Sequence, residues 1–444
     1  MITPSGLVFV GQILGKSKFI HKVNRAPISR QYIEKLIPNG DVLLTYIGML
    51  CQGKPQYEAV REMMDDPEYY EYALGIETSI PSAETLRQRF DMIGDSYRKD
   101  ILQANIDIFR EMNIEPSALA NGYVPVDIDV TPFDNSKSHK EGVSRTYKGF
   151  DGYAPIMAYI GTEGYLINTE LRIGTQHCQK ETPDFLIETI ALCRQLTDKP
   201  LLIRLDSGND ASDNIGIFVE ENMQSNKVSF IVKRNPRQES KAEWLEAAKA
   251  SCNNIQNPRD GKTVYIGNVF RNVTYRLPDG PEKTVGVPVV YEIAERTIDK
   301  HGQFFMLPDI ELGTYWTNLP FSDQEIIDLY HAHGESEQYH SEIKSDMDVE
   351  RLPSGKFETN KLVLELTMIA YNILRIIGRE SLKKRDNPRR KTVHRRRIRT
   401  VISNLMQFAG HLTSHAGRIV LALGKSNRWR FTFKRIYDSF ALVT

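Results

Sequence analysis

The sequence predicts a mixed α/β protein: a helical N-terminal part, an α/β core, a β-rich insertion in that core, and a helical, basic C-terminal part. Three observations predict it. Over residues 1–120 apolar residues recur at helical spacing, and from Tyr123 the period changes to two. Between Arg375 and Arg399, twelve of 25 residues are Lys or Arg, with only Glu380 and Asp386 acidic. Net charge is zero over the 444 residues, so the remainder is net acidic, and a basic block on an acidic chain points to a polyanion surface. The length suits two or three domains, and 41% hydrophobic with 26% charged residues is an ordinary globular composition. Cys51, Cys178, Cys193 and Cys252 show no CxxC spacing, which argues against a zinc site or disulfide framework and fits a reducing cytoplasm. No apolar run approaches the roughly 18 residues of a membrane span. The apolar stretch Gly6–Leu14 has no basic region before it and no small-residue cleavage site after it, so no signal peptide is expected.

Taken in order, Leu43–Leu50 and Tyr57–Met64 carry helical spacing, and Ser82 is a candidate N-cap for the helix that follows. Arg87 and Arg89 on that helix suit a helix-turn-helix-like DNA reader and a plain packing domain equally well. Val124, Val126, Ile128 and Val130 then alternate with Pro125, Asp127, Asp129 and Thr131, which is a strand with one polar face. Ala154–Ile160 and Tyr165–Leu171 are further strands joined by a turn at Gly161–Gly164, Glu181–Leu196 is a helix, and Pro200–Leu205 is a buried strand. Three strands, a helix and a fourth strand are the order of a ribonuclease H-like core, one many α/β domains share at their start. After the strand Phe230–Arg234, residues 239–312 read as a small β-rich insertion, with strands at Val264–Phe270 and Val285–Tyr291. Phe357–Arg379 is a long helix, and Ile398–Leu423 a final helical segment. The expected parts are therefore 1–120 helical and DNA end-binding, 121–238 and 313–380 the two halves of the core, 239–312 the insertion, and 381–444 the basic helical region.

Ser322 followed by Glu325 forms a capping box, which starts a helix through Ile326, Ile327 and Leu329. At about 100° per residue, Tyr330, His333, Glu337 and Lys344 fall within roughly 60° of one face. A solvated acidic face is the commoner origin of such a stripe. Two further acids change its weight. Asp129 lies at the end of the first core strand, and Asp206 ends the fourth beside Ser207 and Gly208, whose small size permits close approach of a ligand. Asp127, on the same strand face as Asp129, is the competing first acid. Taken singly, each would be a turn or cap residue. Together, Asp129, Asp206 and Glu337 are a hard oxygen set suited to Mg²⁺ or Mn²⁺, and two such ions serve phosphoryl transfer.

The motifs resemble those of bacterial DDE transposases of insertion sequences, in the branch whose third acid lies in a Tyr-x2-Arg-x3-Glu-x6-Lys helix. The matches are Asp127–Thr131, Arg204–Gly208 and Tyr330-x2-His333-x3-Glu337-x6-Lys344, supported by His139–Gly142, Gly152-Tyr153, Thr317–Pro320 and Ala370–Asn372. The resemblance implies a cut-and-paste recombinase with a ribonuclease H-like core interrupted by a β insertion. It also implies a nucleoid-associated cytoplasmic location, double-stranded DNA (terminal inverted repeats and target) as partner, and a homodimer on that DNA. Asp129, Asp206 and Glu337 would bind two Mg²⁺ or Mn²⁺ ions, and Tyr330, His333 and Lys344 would contact DNA phosphate. His333 stands where the family has Arg, and a histidine offers one donor and a pH-dependent charge in place of a permanent fork. Arg389, Arg390, Arg395, Arg396 and Arg397 in the basic block suit sequence-independent backbone contact. Trp244 in the insertion could stack on an unpaired base, core packing being the commoner role. Two other functions stay open: a decayed or repurposed DNA-binding protein, and a ribonuclease H-fold nuclease that joins nothing.

Overall fold

The alternation that begins at Tyr123 becomes the central strand β1 (Val124–Val130) in the computed structural model, which describes residues 4–25, 37–252, 254–277, 280–299, 301–388, 393–415 and 418–442. Three short strands, β2 (Phe133–Asp134), β3 (Ser144–Arg145) and β4 (Asp151–Tyr153), form a small separate sheet above its end. The main sheet continues with β5 (Ile156–Ile160), β6 (Tyr165–Glu170), β7 (Leu201–Leu205) and β8 (Val228–Arg234). β5 runs antiparallel to β1 and β6, whereas β1, β7 and β8 are parallel. Parallel neighbours need crossovers, and helices Thr182–Arg194 and Ser212–Ser225 supply them. Every residue of β7 is buried, which is why Leu201–Leu205 reads as a continuous apolar run with one Arg.

The insertion does not stand apart from this sheet. After helix Lys241–Ser251 come β9 (Asn254–Arg259), β10 (Lys262–Tyr275), β11 (Lys283–Ile298) and β12 (Phe304–Thr317), longer than the strands expected there. Thr314–Thr317 of β12 pair with Ile231–Arg234 of β8, so one nine-stranded sheet runs β6-β5-β1-β7-β8-β12-β11-β10-β9. The expected boundary at residue 312 thus falls inside β12. Helix Asp323–His331, with its capping box at Ser322 and Glu325 in place, covers the apolar patch made by Ile231, Val264, Val290 and Tyr315.

Helix Phe357–Glu380 is buried almost all round and joins the parts of the molecule. The N-terminal helices Asn39–Leu50, Ala83–Ile93 and Arg98–Glu111 pack on it. Asn372 ties it to β6, accepting from Leu166 N–H at 2.9 Å and donating to Leu166 O at 2.7 Å. Of the two arginines considered for DNA reading, Arg87 pairs with Glu58 and Glu84. Arg89 is 8% exposed and bonded to Asn39 and Ile37 O. Ser82 caps their helix, accepting from Thr85 N–H. The C-terminal part differs from the helix expected over Ile398–Leu423. That helix stops at Val401, with a π turn to Met406, and β13 (Gly410–His415) pairs with β14 (Arg418–Leu423). Leu421 and Leu423 pack on the core at a spacing of two, a strand period within a helix-length stretch. Helix Arg430–Leu442 returns to pack Phe433 on Phe9, with ring centroids 4.4 Å apart. Among the described residues no helix is long and apolar enough to cross a membrane.

Candidate active site

The parallel register of β1 and β7 sets the site. Asp127 pairs with Arg204, and Ile128 with Leu205, so Asp129 and Asp206 emerge one position later on neighbouring strands at the carboxyl edge of the sheet. Alternation puts both on the face that carries Asp127 and Arg204 one layer deeper. In the inner layer, Arg204 grips Asp127 with two bonds of 2.6 and 2.8 Å and donates a third to Leu329 O at 2.8 Å. His333 Nδ1 lies 2.9 Å from the same carboxylate. Burial would raise the Asp127 carboxyl, but Arg204 and His333 outweigh it and hold the group below its usual range. Asp127 is therefore occupied as a structural anion, and the pair it makes with His333 fastens the Glu337 segment to the strands.

The outer layer is open. Asp129, Asp206, Tyr330, His333, Glu337 and Lys344 all line one cavity of about 1000 Å³. The segment that carries the last four is not a single regular helix: it runs through a 3-10 turn at Ala332–Glu335, a short helix Ser336–Ser341 and a π turn at Glu342–Asp346. The predicted stripe nevertheless stays on one side. Asp206 accepts from Gly208 N–H at 3.1 Å and Asn209 Nδ2 at 3.0 Å, and a Cβ at Gly208 would sit 3.2 Å from its carboxylate. Burial, and then the charge of Asp129, push the Asp206 carboxyl above its usual range. Burial, with Asp206 and Asp129 as the nearby anions, also raises the Tyr330 phenol.

These residues fit a divalent cation. The donors are hard oxygens, Asp129 and Asp206 repel each other in a way a cation would relieve, and the cavity has room for waters and substrate oxygens. Among the described residues no three His, Cys, Asp or Glu side chains are gathered around one point, so the fit rests on the Asp129–Asp206 pair with Glu337 on the same cavity wall.

The remaining predicted positions divide. Tyr330 packs on Tyr315, and Lys344 donates to Pro132 O at 2.6 Å and lies 3.2 Å from Glu350. His333 is 7% exposed and turned to Asp127, which differs from the phosphate contact its place in the motif implies. Arg395 pairs with buried Glu342 at 2.6 Å, and Arg397 with Asp346 at 2.8 Å. Arg396 is 5% exposed, bonded to Ser381 and stacked on Trp429, so its guanidinium is inside and not on the expected DNA surface. Arg389 and Arg390 lie outside the described residues. Trp244 packs edge-on against Tyr291 and donates to Glu239, a core role. The supporting motifs are architectural: Asn318 bonds Phe230 N–H and Val228 O, and Glu141 accepts from Phe357 N–H at the start of the long helix. Residues not foreseen are His340, Tyr147 and Lys148, which also line the cavity. His340 was readable: it lies three residues after Glu337, on the same face.

The family model described as Transposase DDE domain group 1 matches residues 3–443. A search of curated proteins returns no match. Among solved structures the chain is similar to a piggyBac transposase in a synaptic complex with hairpin DNA. The identity is 11%, the TM-score 0.41, and the match covers 98% of this chain and 84% of that one, a likeness too distant to bear on mechanism.

Proposed function

The chain belongs to the family of transposases with a DDE domain of group 1, and from that premise we propose a metal-dependent, cut-and-paste transposase of a bacterial insertion sequence. The observation that carries the proposal is the placement of Asp129, Asp206 and Glu337 on the wall of one open cavity while Asp127 is withdrawn into a buried ion pair. What supports a ribonuclease H-like core is the strand order β6-β5-β1-β7-β8, with the second strand antiparallel and the acids at the ends of the first and fourth. Asp129, Asp206 and Glu337 are the residues that would hold Mg²⁺ or Mn²⁺. The chemistry such ions would supply is activation of the attacking oxygen and stabilisation of the leaving one. Lys344 and Tyr330 bring a cation and a phenol to the same cavity, where they would meet the phosphates flanking the cut. No side chain is asked to form a covalent bond to DNA.

His333, standing where the family motif has Arg, leaves a weakened enzyme open. Its bond to Asp127 gives it a structural task, which leaves the three acids untouched and takes away that ground for decay. Residues 1–120 are proposed to read the element ends and the region after 381 to contact backbone phosphate, with two protomers synapsing the ends. The test is a reaction of the full chain with DNA carrying the terminal repeats that flank its coding region, in Mg²⁺ or Mn²⁺. Cleavage and joining are expected. Cleavage alone would make the protein a nuclease, and binding alone a repurposed DNA-binding protein.

A further inference from the structure

His340 is 5% exposed, lines the cavity and sits directly behind the first acid. Its Nδ1 is 3.1 Å from the Tyr159 hydroxyl, and its Nε2 is 3.4 Å from Asp129 Oδ2. That Nε2 is buried and makes no hydrogen bond. The other oxygen, Asp129 Oδ1, already accepts from Val130 N–H at 2.7 Å. Tyr159 comes from β5, next to β1, and its ring is clamped between Tyr339 and Tyr371, so the histidine is held from a rigid wall.

A neutral imidazole carries one N–H. If Nδ1 held it, the Nε2 lone pair would face a carboxylate, and the Tyr159 hydroxyl would be left with Met157 Sδ at 3.2 Å, a weak acceptor. If Nε2 holds it, Tyr159 donates to Nδ1 and Nε2–H points at an anion. We infer that His340 is a positioning residue for Asp129: Tyr159 fixes its Nε2–H tautomer, and that N–H, with Val130 N–H on the other oxygen, holds the carboxylate in the orientation that receives the divalent cation. The 3.4 Å separation is long for an N–H···O bond, as the hydrogen bonds of a site often are before its ligand is bound. Fixing a ligand through a buried partner is the usual means by which a metal site gains affinity beyond its donor set.

The inference rests on Asp129 being a metal ligand, so the experiment separates the two. Mn²⁺ binding is measured by calorimetry on the full-length wild type, Asp129→Asn, His340→Leu, His340→Gln and Tyr159→Phe, each checked by thermal melting. In parallel, ¹⁵N-histidine NMR of the metal-free wild type reads the His340 tautomer. Expected are an Nε2–H tautomer, loss of tight Mn²⁺ binding in Asp129→Asn, and weakening by about 10–100-fold in His340→Leu. His340→Gln, whose amide N–H can reach the carboxylate, should regain most of that loss. Tyr159→Phe should weaken binding with the fold intact, and it decides the matter if His340→Leu does not fold. Wild-type affinity in both His340→Leu and Tyr159→Phe, or a ¹⁴N coupling to bound Mn²⁺ that makes His340 a direct ligand, overturns the inference. Wild-type affinity in Asp129→Asn instead overturns the assignment of Asp129.

Discussion

Asp127 and Asp129 are two residues apart on one strand face, and exchanging their charge for an amide should have opposite consequences. Asp127 and Arg204 are each about 4–5% exposed at the side chain, and their two hydrogen bonds are joined by a third from His333. Asp127→Asn leaves a buried guanidinium without its counter-charge, a change that costs about 3–5 kcal/mol. With an unfolding entropy of about 2.1 cal/mol/K per residue, 444 residues give about 0.9 kcal/mol/K, so Tm should fall by about 3–5 °C. The pH dependence has a definite sign. The folded carboxyl is held below its ordinary value of about 4, so its contribution is complete above that pH and is lost as pH falls through the folded value. Asp129 is half-open and faces Asp206, so Asp129→Asn relieves repulsion and should leave Tm unchanged or slightly raised while abolishing metal binding. Differential scanning calorimetry beside Mn²⁺ titration checks both. If Asp127→Asn abolished Mn²⁺ binding at an unchanged Tm, with Asp129→Asn binding normally, the two aspartates would have been assigned in the wrong order.

Three other perturbations follow from the same contacts. Burial, only partly offset by Arg98, raises the Glu365 carboxyl to about 7. The native state therefore loses stability as pH rises from about 4.3 to that value, and Glu365→Gln should flatten the Tm profile there; an unaltered profile contradicts it. Glu342, 1% exposed, is the shared anion of Arg375 and Arg395 and accepts from Ile398 N–H at 3.1 Å. Glu342→Gln should cost about 3–5 kcal/mol in denaturant unfolding, and a loss under 1 would remove this cluster as the clamp on the C-terminal part. In the basic block, Arg397→Ala should lower the salt slope of DNA binding by about 0.9 with little change in Tm. Arg396→Ala should instead lower Tm and spare the slope, because Arg396 is inside and the Arg397 side chain is 54% exposed. Equal salt slopes for the two variants would count against that division.

The fold was legible where one period dominates. Val124–Val130, Leu201–Leu205 and Phe357–Glu380 announce themselves by alternation, by a continuous apolar run and by a long helical face. That Asp129, Asp206 and Glu337 would line one cavity could be anticipated because strand ends and a capped helix have sequence signatures. What could not be read was pairing. Nothing local says that Thr314–Thr317 joins β8 and makes the insertion an extension of the core sheet, or that Gly410–His415 takes Arg418–Leu423 as its partner. The partners of the arginines could not be read for the same reason. A run of Lys and Arg looks solvated in one dimension, yet Glu342 and Ser381, distant in sequence, draw Arg395 and Arg396 inward, while Arg397 pairs with Asp346 and keeps its side chain 54% exposed. The bond of His333 to Asp127 was equally out of reach, because its partner lies 206 positions away.

The most direct test of the central assignment is Glu337→Gln, measured as strand cleavage at the terminal repeats in Mg²⁺ with DNA binding and Tm followed on the same protein. Glu337 is exposed on the cavity wall, so its substitution should change stability by no more than about 0.5 kcal/mol. Cleavage should vanish while the folded protein still binds its DNA. Cleavage at the wild-type rate would contradict the account.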